Sequence, residues 1–189
     1  LSLYDAQLGI GNRRSMEVDM QFTHRNACQH KRGYSVVLLE IDRYDRYCRD
    51  HGEVAGAELL MTFSRCIGET VRSIDRLYRY DTSQFLLLLS ETPLTHGVAL
   101  TERLLDQLEG LHIPHLQSEY GVATVSAGLS ELNALVDGEQ APPAEWQAVV
   151  ADAKYRLKEA QTQGRNRLCW PRPAEPEDGS LPFTGNLAG

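Results

Sequence analysis

The chain has 189 residues, enough for one domain with a proper hydrophobic core, and its 26 acidic against 19 basic side chains leave a formal net charge of -7. That excess of acid excludes non-specific binding to nucleic acid or to an anionic membrane surface, so an anionic ligand must find a local basic patch. Cys28, Cys48, Cys66 and Cys169 are too widely spaced for a zinc site or a disulfide framework, and no apolar run is long enough to span a membrane.

In chain order, Gly9 and Gly11 form a turn leading into a helix, without the ordered Gly-x-Gly-x-x-Gly context of a phosphate cradle. Ser15 is placed to cap that helix, which runs to about Gln29. Ser35 to Ile41 is short and aliphatic and predicts a buried central strand. Glu40, Asp42 and Asp45 follow at its end, an arrangement shared by oxygen-ligand metal sites and by solvated loops. From Glu53 to Val71 the spacing of Val54, Ala57, Leu60, Met61, Ser64 and Ile67 predicts one core-facing helical stripe, with Met61 and Phe63 in the core.

An Arg/Asp-rich turn, Arg72 to Asp75, then leads into two β-rich segments, Leu77 to Tyr80 and Phe85 to Leu89. They flank the polar insert Asp81 to Gln84, which reads as a hairpin. A second long helix follows Pro93 and runs from Leu94 to Leu111, and Gly121 to Leu129 predicts a strand. Pro142 and Pro143 introduce a helix from about Ala144 to Gln163 that closes at Gly164, and Trp146 is expected to anchor it to the sheet. Arg167 to Trp170 form a short last strand. His112 and His115 have a ligand-like interval but no further ligands, and are expected to be a solvated pair in a loop. Strands separated by helices, with one hairpin among them, define an α/β domain with a mixed central sheet over residues 1–170. Residues 171–189 are rich in Pro, Gly and acid and are expected to be a disordered tail. Reduced thiols and the lack of a basic and apolar leader point to the cytoplasm. Leu1 in place of an initiating Met implies a piece of a longer chain, so neighbouring domains are expected partners.

Three stretches resemble the GGDEF family of diguanylate cyclases. Asp5, Gly9, Asn12, Arg13 and Arg14 match its opening Asp-x-Leu-Thr-Gly-Leu-x-Asn-Arg-Arg, with Gln7 and Leu8 departing. Arg79-Tyr80-Asp81-Thr82-Ser83-Gln84-Phe85 stands where the family has Arg-Tyr-Gly-Gly-Asp/Glu-Glu-Phe, and Gln161-Thr162-Gln163-Gly164-Arg165-Asn166 where it has Lys-x-x-Gly-Arg-Asn. The resemblance covers about residues 5–170 and implies the palm-like βααββαβ fold of nucleotide cyclases, with helices flanking a mixed sheet.

The resemblance also locates an active site whose letters have changed. Glu40 replaces a metal-binding aspartate, Asp45 stands at a phosphate-binding lysine, and Cys48 and Ala57 stand where an asparagine and an aspartate read guanine. A guanine there would leave buried donors unpaired, at about 1 to 3 kcal/mol per group. Asp81 and Thr82 replace glycines that permit positive φ, Ser83 and Gln84 replace two carboxylates, and Gln161 replaces a lysine, while Arg165 is retained. Glu40, Asp81, Thr82, Ser83, Gln84 and Arg165 are therefore expected to form a vestigial active site, with no metal, no cofactor and no cyclase activity.

The family's product site reads differently. Arg72 and Asp75 match its Arg-x-x-Asp pair in register with the hairpin, and Arg103 falls where it supplies a second arginine. An arginine fork suits O6 and N7 of guanine, or phosphate, and a carboxylate suits the N1 and N2 donors. Without that context Arg72 and Asp75 read as a surface ion pair worth less than about 1 kcal/mol, and Arg103-Leu104-Leu105-Asp106 repeats the spacing. The expectation is a catalytically inactive receptor that binds cyclic di-GMP, as a ligand dimer able to bridge two copies of the domain. Two alternatives stand beside it. One is a ligand-free domain for dimerisation or regulation. The other is a residual cyclase in which Asp81 replaces the missing acid.

Overall fold

The computed structural model describes residues 1–133 and 145–172. Its elements are α1 (Arg13–His30), β1 (Tyr34–Ile41), α2 (Tyr44–His51), α3 (Glu53–Thr70), β2 (Arg76–Asp81), β3 (Gln84–Ser90), α4 (Leu94–Glu109), β4 (Val125–Leu132), α5 (Trp146–Thr162) and β5 (Leu168–Cys169). The strands form one sheet in the order β2-β3-β1-β4-β5, antiparallel except for the β4–β5 pair. From β1 to β4 the sequence of elements is the expected βααββαβ.

The period of two along β1 and β3 explains the layers. Val36, Leu38, Leu86 and Leu88 point to one face, against Met16 and Met20 of α1 and Val150, Ala153 and Leu157 of α5. Val37, Leu39, Leu87 and Leu89 point to the other, against Phe63 and Ile67 of α3 and Leu104 and Leu108 of α4. A strand apolar on both faces belongs at the centre of such a sheet, which is where β1 lies. At Gly128 of β4 the sheet touches the α5 backbone: a Cβ there would run into the Ala153 carbonyl oxygen and the Leu157 backbone nitrogen.

Several local expectations are corrected. The cap of α1 is Asn12, whose Oδ1 accepts the Ser15 backbone N–H at 3.0 Å; Ser15 is the residue that donates. α2 is implied by the βααββαβ order of the resemblance but was not legible in its own residues, because its eight residues include Asp45, Arg46, Arg49 and Asp50 and bury only Tyr47. Its packing rotates α3. Cys48 Sγ and the Tyr44 hydroxyl lie directly over Gly56, so Gly56, Leu59, Leu60, Phe63, Ser64 and Ile67 face inward. Val54 and Met61 are left 77% and 52% exposed, contrary to the stripe read from sequence. β4 begins at Val125 because the residues before it pair elsewhere, Ala123 N–H donating to the Ile113 carbonyl at 2.8 Å. His115 is fully buried, and only His112 is solvated. The last strand is reduced to Leu168–Cys169. Pro142, Pro143 and Ala144, and the tail from residue 173 onward, lie outside the described residues.

The opening motif clamps the hairpin. Arg79 donates to Asp5 at 3.3 Å and to Gln7 at 2.8 Å, and its backbone N–H donates to the Gly11 carbonyl at 2.8 Å. Gly11 must lack a side chain, since a Cβ would lie 2.5 Å from the Tyr78 ring. Arg13 donates to the Tyr80 carbonyl at 3.0 Å and stacks 3.8 Å over the Tyr80 ring.

Candidate functional site

β1 ends at a cleft of about 510 Å³ whose lining includes Glu40, Arg43, Thr82, Ser83, Gln161 and Arg165. Glu40 lies in register between Gln84 of β3 and Ser126 of β4. Its carboxylate accepts the side-chain N–H of Gln161, the residue at the place of the expected lysine. The hairpin closes without glycine geometry, since none of residues 81–84 adopts positive φ. Instead a bulge falls between Arg79 and Asp81, and the Asp81 carboxylate accepts the Thr82 N–H at 2.7 Å. Ser83 ties the turn to β1 by accepting the Ile41 N–H at 3.1 Å. The structure thus gathers Glu40, Thr82, Ser83 and Arg165 around one cleft, with Gln84 beside Glu40 on the sheet and Asp81 exposed at the turn. Among the described residues no group of three or more His, Cys, Asp or Glu side chains is placed to hold a metal ion.

Side chains distant in sequence organise this cleft: Asp42 was singled out in the sequence beside Glu40, whereas its partners Thr124 and Ser126, and Glu119 and Tyr120, were not. Asp42 is buried and accepts from the Thr124 hydroxyl at 2.8 Å, the Ser126 hydroxyl at 2.6 Å and the Asn166 backbone N–H at 3.1 Å. Burial pushes its carboxyl above the ordinary range, although all three hydrogen bonds oppose that shift. Arg43, in the left-handed region at φ 54°, donates through Nε and Nη2 to Glu119. That bond holds the Glu119 carboxyl down to about 2. Glu119 also lies 3.8 Å from Arg165, and the neighbouring Tyr120 hydroxyl donates to the Gly164 carbonyl at 2.9 Å. The segment between α4 and β4 therefore leans over the cleft and engages Arg43 and Arg165 on its wall. His115 belongs to the same segment, its Nε2 3.3 Å from the Arg43 carbonyl and its ring edge-on to Tyr47.

At the expected guanine-reading positions, Cys48 and Ala57 are half-buried on α2 and α3. The Tyr44 phenol is pushed up by burial and by its bond to Cys48. Tyr44 and Cys48 thus satisfy each other over Gly56.

Arg72 and Asp75 are brought together, and Asp75 is not the surface residue that an isolated pair would suggest. Its side chain is wholly buried while that of Arg72 is 52% exposed. The Asp75 carboxylate accepts from the Arg72 backbone N–H at 3.0 Å, from Nε at 3.2 Å and from Nη2 at 3.0 Å. Nη2 also donates to Thr92 Oγ1 at 2.5 Å and to the Ser90 carbonyl at 3.1 Å. None of these bonds uses Nη1. Arg103 is exposed on α4 and makes no ion pair among the described residues. Thr70 donates to Gln107, one turn beyond Arg103 on the same helix face, and Arg72 is tied to Thr92 just before α4. Arg103 therefore lies on the stretch of α4 between the two tethers that hold the Arg72 turn.

The family model of the diguanylate cyclase GGDEF domain matches residues 2–167. The chain is 25% identical over 167 residues to the probable diguanylate cyclase DgcC of Escherichia coli (strain K12), covering 88% of this chain and 43% of that protein. It is 30% identical over 170 residues to diguanylate cyclase DgcM of the same strain, covering 87% and 37%. It thus spans less than half the length of these curated relatives. Among solved structures, the GGDEF domain of DgcB from Caulobacter crescentus in complex with c-di-GMP superposes with a TM-score of 0.78 at 17% identity, covering 89% of this chain and 92% of that one. The FimX GGDEF domain from Pseudomonas aeruginosa superposes with a TM-score of 0.78 at 22% identity, covering 90% and 100%. These two likenesses establish the fold. Among the described residues no helix is long and apolar enough to cross a membrane.

Proposed function

The chain belongs to the GGDEF family of diguanylate cyclase domains, and on that premise we propose that it is a catalytically inactive member that receives cyclic di-GMP through Arg72, Asp75 and Arg103. The observation that carries the reading is the contrast between its two candidate sites. At the cleft, Glu40 is engaged by Gln161 and Arg43 by Glu119, and neutral Ser83 and Gln84 occupy the signature positions. At the Arg72 turn, a half-exposed guanidinium is held in a fixed pose and, among the described residues, Nη1 is uncommitted and a second arginine, Arg103, stands unpaired on the adjoining helix. Two arginines presented in this way suit the phosphates and the O6/N7 edge of a guanine dinucleotide. Asp75 then acts chiefly as a positioning residue. A bridging ligand dimer would give a homodimer, and neighbouring domains of a longer protein would read the signal.

A second reading, a regulatory interaction domain that binds no nucleotide, is favoured by one fact: Arg72 already satisfies the Asp75 carboxylate, so no guanine is needed to pair it. Calorimetric titration with cyclic di-GMP, run beside GTP and beside Arg72→Ala and Arg103→Ala, decides between them. Saturable binding of cyclic di-GMP, lost in both variants, supports the receptor. Absence of binding supports the interaction domain. Product formed from GTP with Mg²⁺ or Mn²⁺, and lost in Glu40→Ala, would overturn the claim of inactivity.

A further inference from the structure

α1 and α5 cover one face of the sheet, across from the α3 and α4 that lead into the Arg72 turn and carry Arg103. Between α1 and α5 runs a groove that neither nucleotide site uses. Its first part is a cleft of about 670 Å³, lined by Arg14, Val18 and Gln21 of α1 and by Gln147, Ala151 and Lys154 of α5. Past Trp146 it continues into a second cleft of about 710 Å³, which adds Arg25, and the two share Gln21, Trp146 and Gln147. The groove therefore follows α1 from Arg14 to Arg25, a rise of about 16 Å or roughly three helical turns.

Floor and rim differ in chemistry. Val150 is buried and Trp146 half-buried on the floor, and Val18, 58% exposed, and the exposed Ala151 extend that apolar surface. Arg14, Arg25 and Lys154 stand exposed along the rim and make no ion pair among the described residues. Lys158, one turn beyond Lys154 on α5, extends the row and is likewise unpaired among the described residues. The acids of the two helices are engaged elsewhere: Glu17 lies 3.8 Å from Arg13, Asp19 accepts the Tyr78 hydroxyl at 2.6 Å, and Asp152 and Glu159 lie 3.6 and 2.9 Å from Arg156. Glu145 lines the far end beside Arg25. A surplus of uncompensated positive charge thus borders an apolar groove, on a chain whose net charge is -7.

We propose that this groove docks an acidic amphipathic helix of a partner protein, about three turns long, with its apolar stripe on Val18, Trp146 and Ala151 and its carboxylates on Arg14, Lys154 and Lys158. A groove between two helices receives a third through apolar anchors at i, i+3, i+4 and i+7. The unpaired cations set the sign of the charge beside that stripe and steer the encounter. A single helix reaches them without meeting the rest of an acidic protein surface, whereas a flat anionic membrane would meet both. The surface stands on either reading of the nucleotide sites, and its test uses no nucleotide.

The test titrates the isotope-labelled chain by NMR with synthetic peptides of about 15 residues. One carries Leu at helical i, i+3, i+4 and i+7 positions with Glu beside them, a second holds the same residues in scrambled order, and a third has Lys in place of every Glu. Saturable amide shifts at Arg14, Val18, Gln21, Ala151 and Lys154 are expected with the first peptide alone. Arg14→Glu and Lys154→Glu should each weaken that binding by about tenfold or more, while Arg65→Glu, on α3 across the sheet, should leave it unchanged. All three side chains are exposed, and the spectra report directly that each variant is folded. Equal binding of the scrambled peptide would reduce the groove to a patch of charge and overturn the proposal. Shifts centred outside the groove, or no saturable binding, would overturn it as well, as would self-association of the chain that Arg14→Glu abolishes and the first peptide does not compete.

Discussion

Arg72 and Asp75 are unequal partners: the carboxylate is wholly buried, and the guanidinium that covers it is half open to solvent. Arg72→Ala would leave Asp75 with only a backbone N–H donor. Urea unfolding should therefore show a loss of about 1 to 3 kcal/mol for this variant.

Arg103→Ala separates binding from folding. The side chain is exposed and unpaired among the described residues, so its removal should change stability by no more than about 0.5 kcal/mol. On the receptor reading, the same variant weakens cyclic di-GMP binding by roughly 1.5 to 3 kcal/mol in calorimetry, the range for charge-assisted hydrogen bonds. Arg72→Ala shows both losses and Arg103→Ala only one.

Asp42 and Glu119 should make opposite contributions to stability against pH. The Asp42 carboxyl is raised in the folded state by burial. Its contribution is therefore fully present below the unfolded value, about 4, and is lost as pH rises through the folded value. Glu119 is held down to about 2 by Arg43. Its contribution is present above the ordinary value and is lost as pH falls toward 2. In denaturant titrations at successive pH values, Glu119→Gln should remove the acid-side loss. Asp42→Asn should remove the gain on acidification, and at pH 7 should cost about 1 to 3 kcal/mol, because an amide cannot accept all three of the donors that Asp42 now serves.

Gly128→Ala tests the closest contact between sheet and helix. The added Cβ meets backbone on α5 rather than the end of a flexible side chain. Destabilisation of about 3 kcal/mol or more is expected, read as a fall in melting temperature or as loss of soluble protein. An alanine variant as stable as the parent would mean that α5 shifts freely on β4.

Much of the fold was legible in the sequence because its signals are local. The aliphatic run of β1, the hairpin around Asp81 to Gln84 and the periodic helices each announce themselves within a short window. α2 did not, because a short helix rich in charge has the composition of a solvated loop. Met61 was misplaced for a related reason. Helical spacing tells which residues share a face, but the packing of α2 on Gly56 decides which face of α3 turns inward.

The sequence by itself determined the elements other than α2, the family resemblance, the altered letters of the signature and the spacing of Arg72 and Asp75. Only the tertiary structure decided that Asp75 is buried beneath its own arginine, that Gln161 engages Glu40, and that Glu119 reaches back to Arg43 and toward Arg165. Local propensity and spacing act over a few residues. Burial and hydrogen-bond partnership depend on which distant segments the sheet brings together, and Glu40 and Gln161 meet across 121 positions of chain.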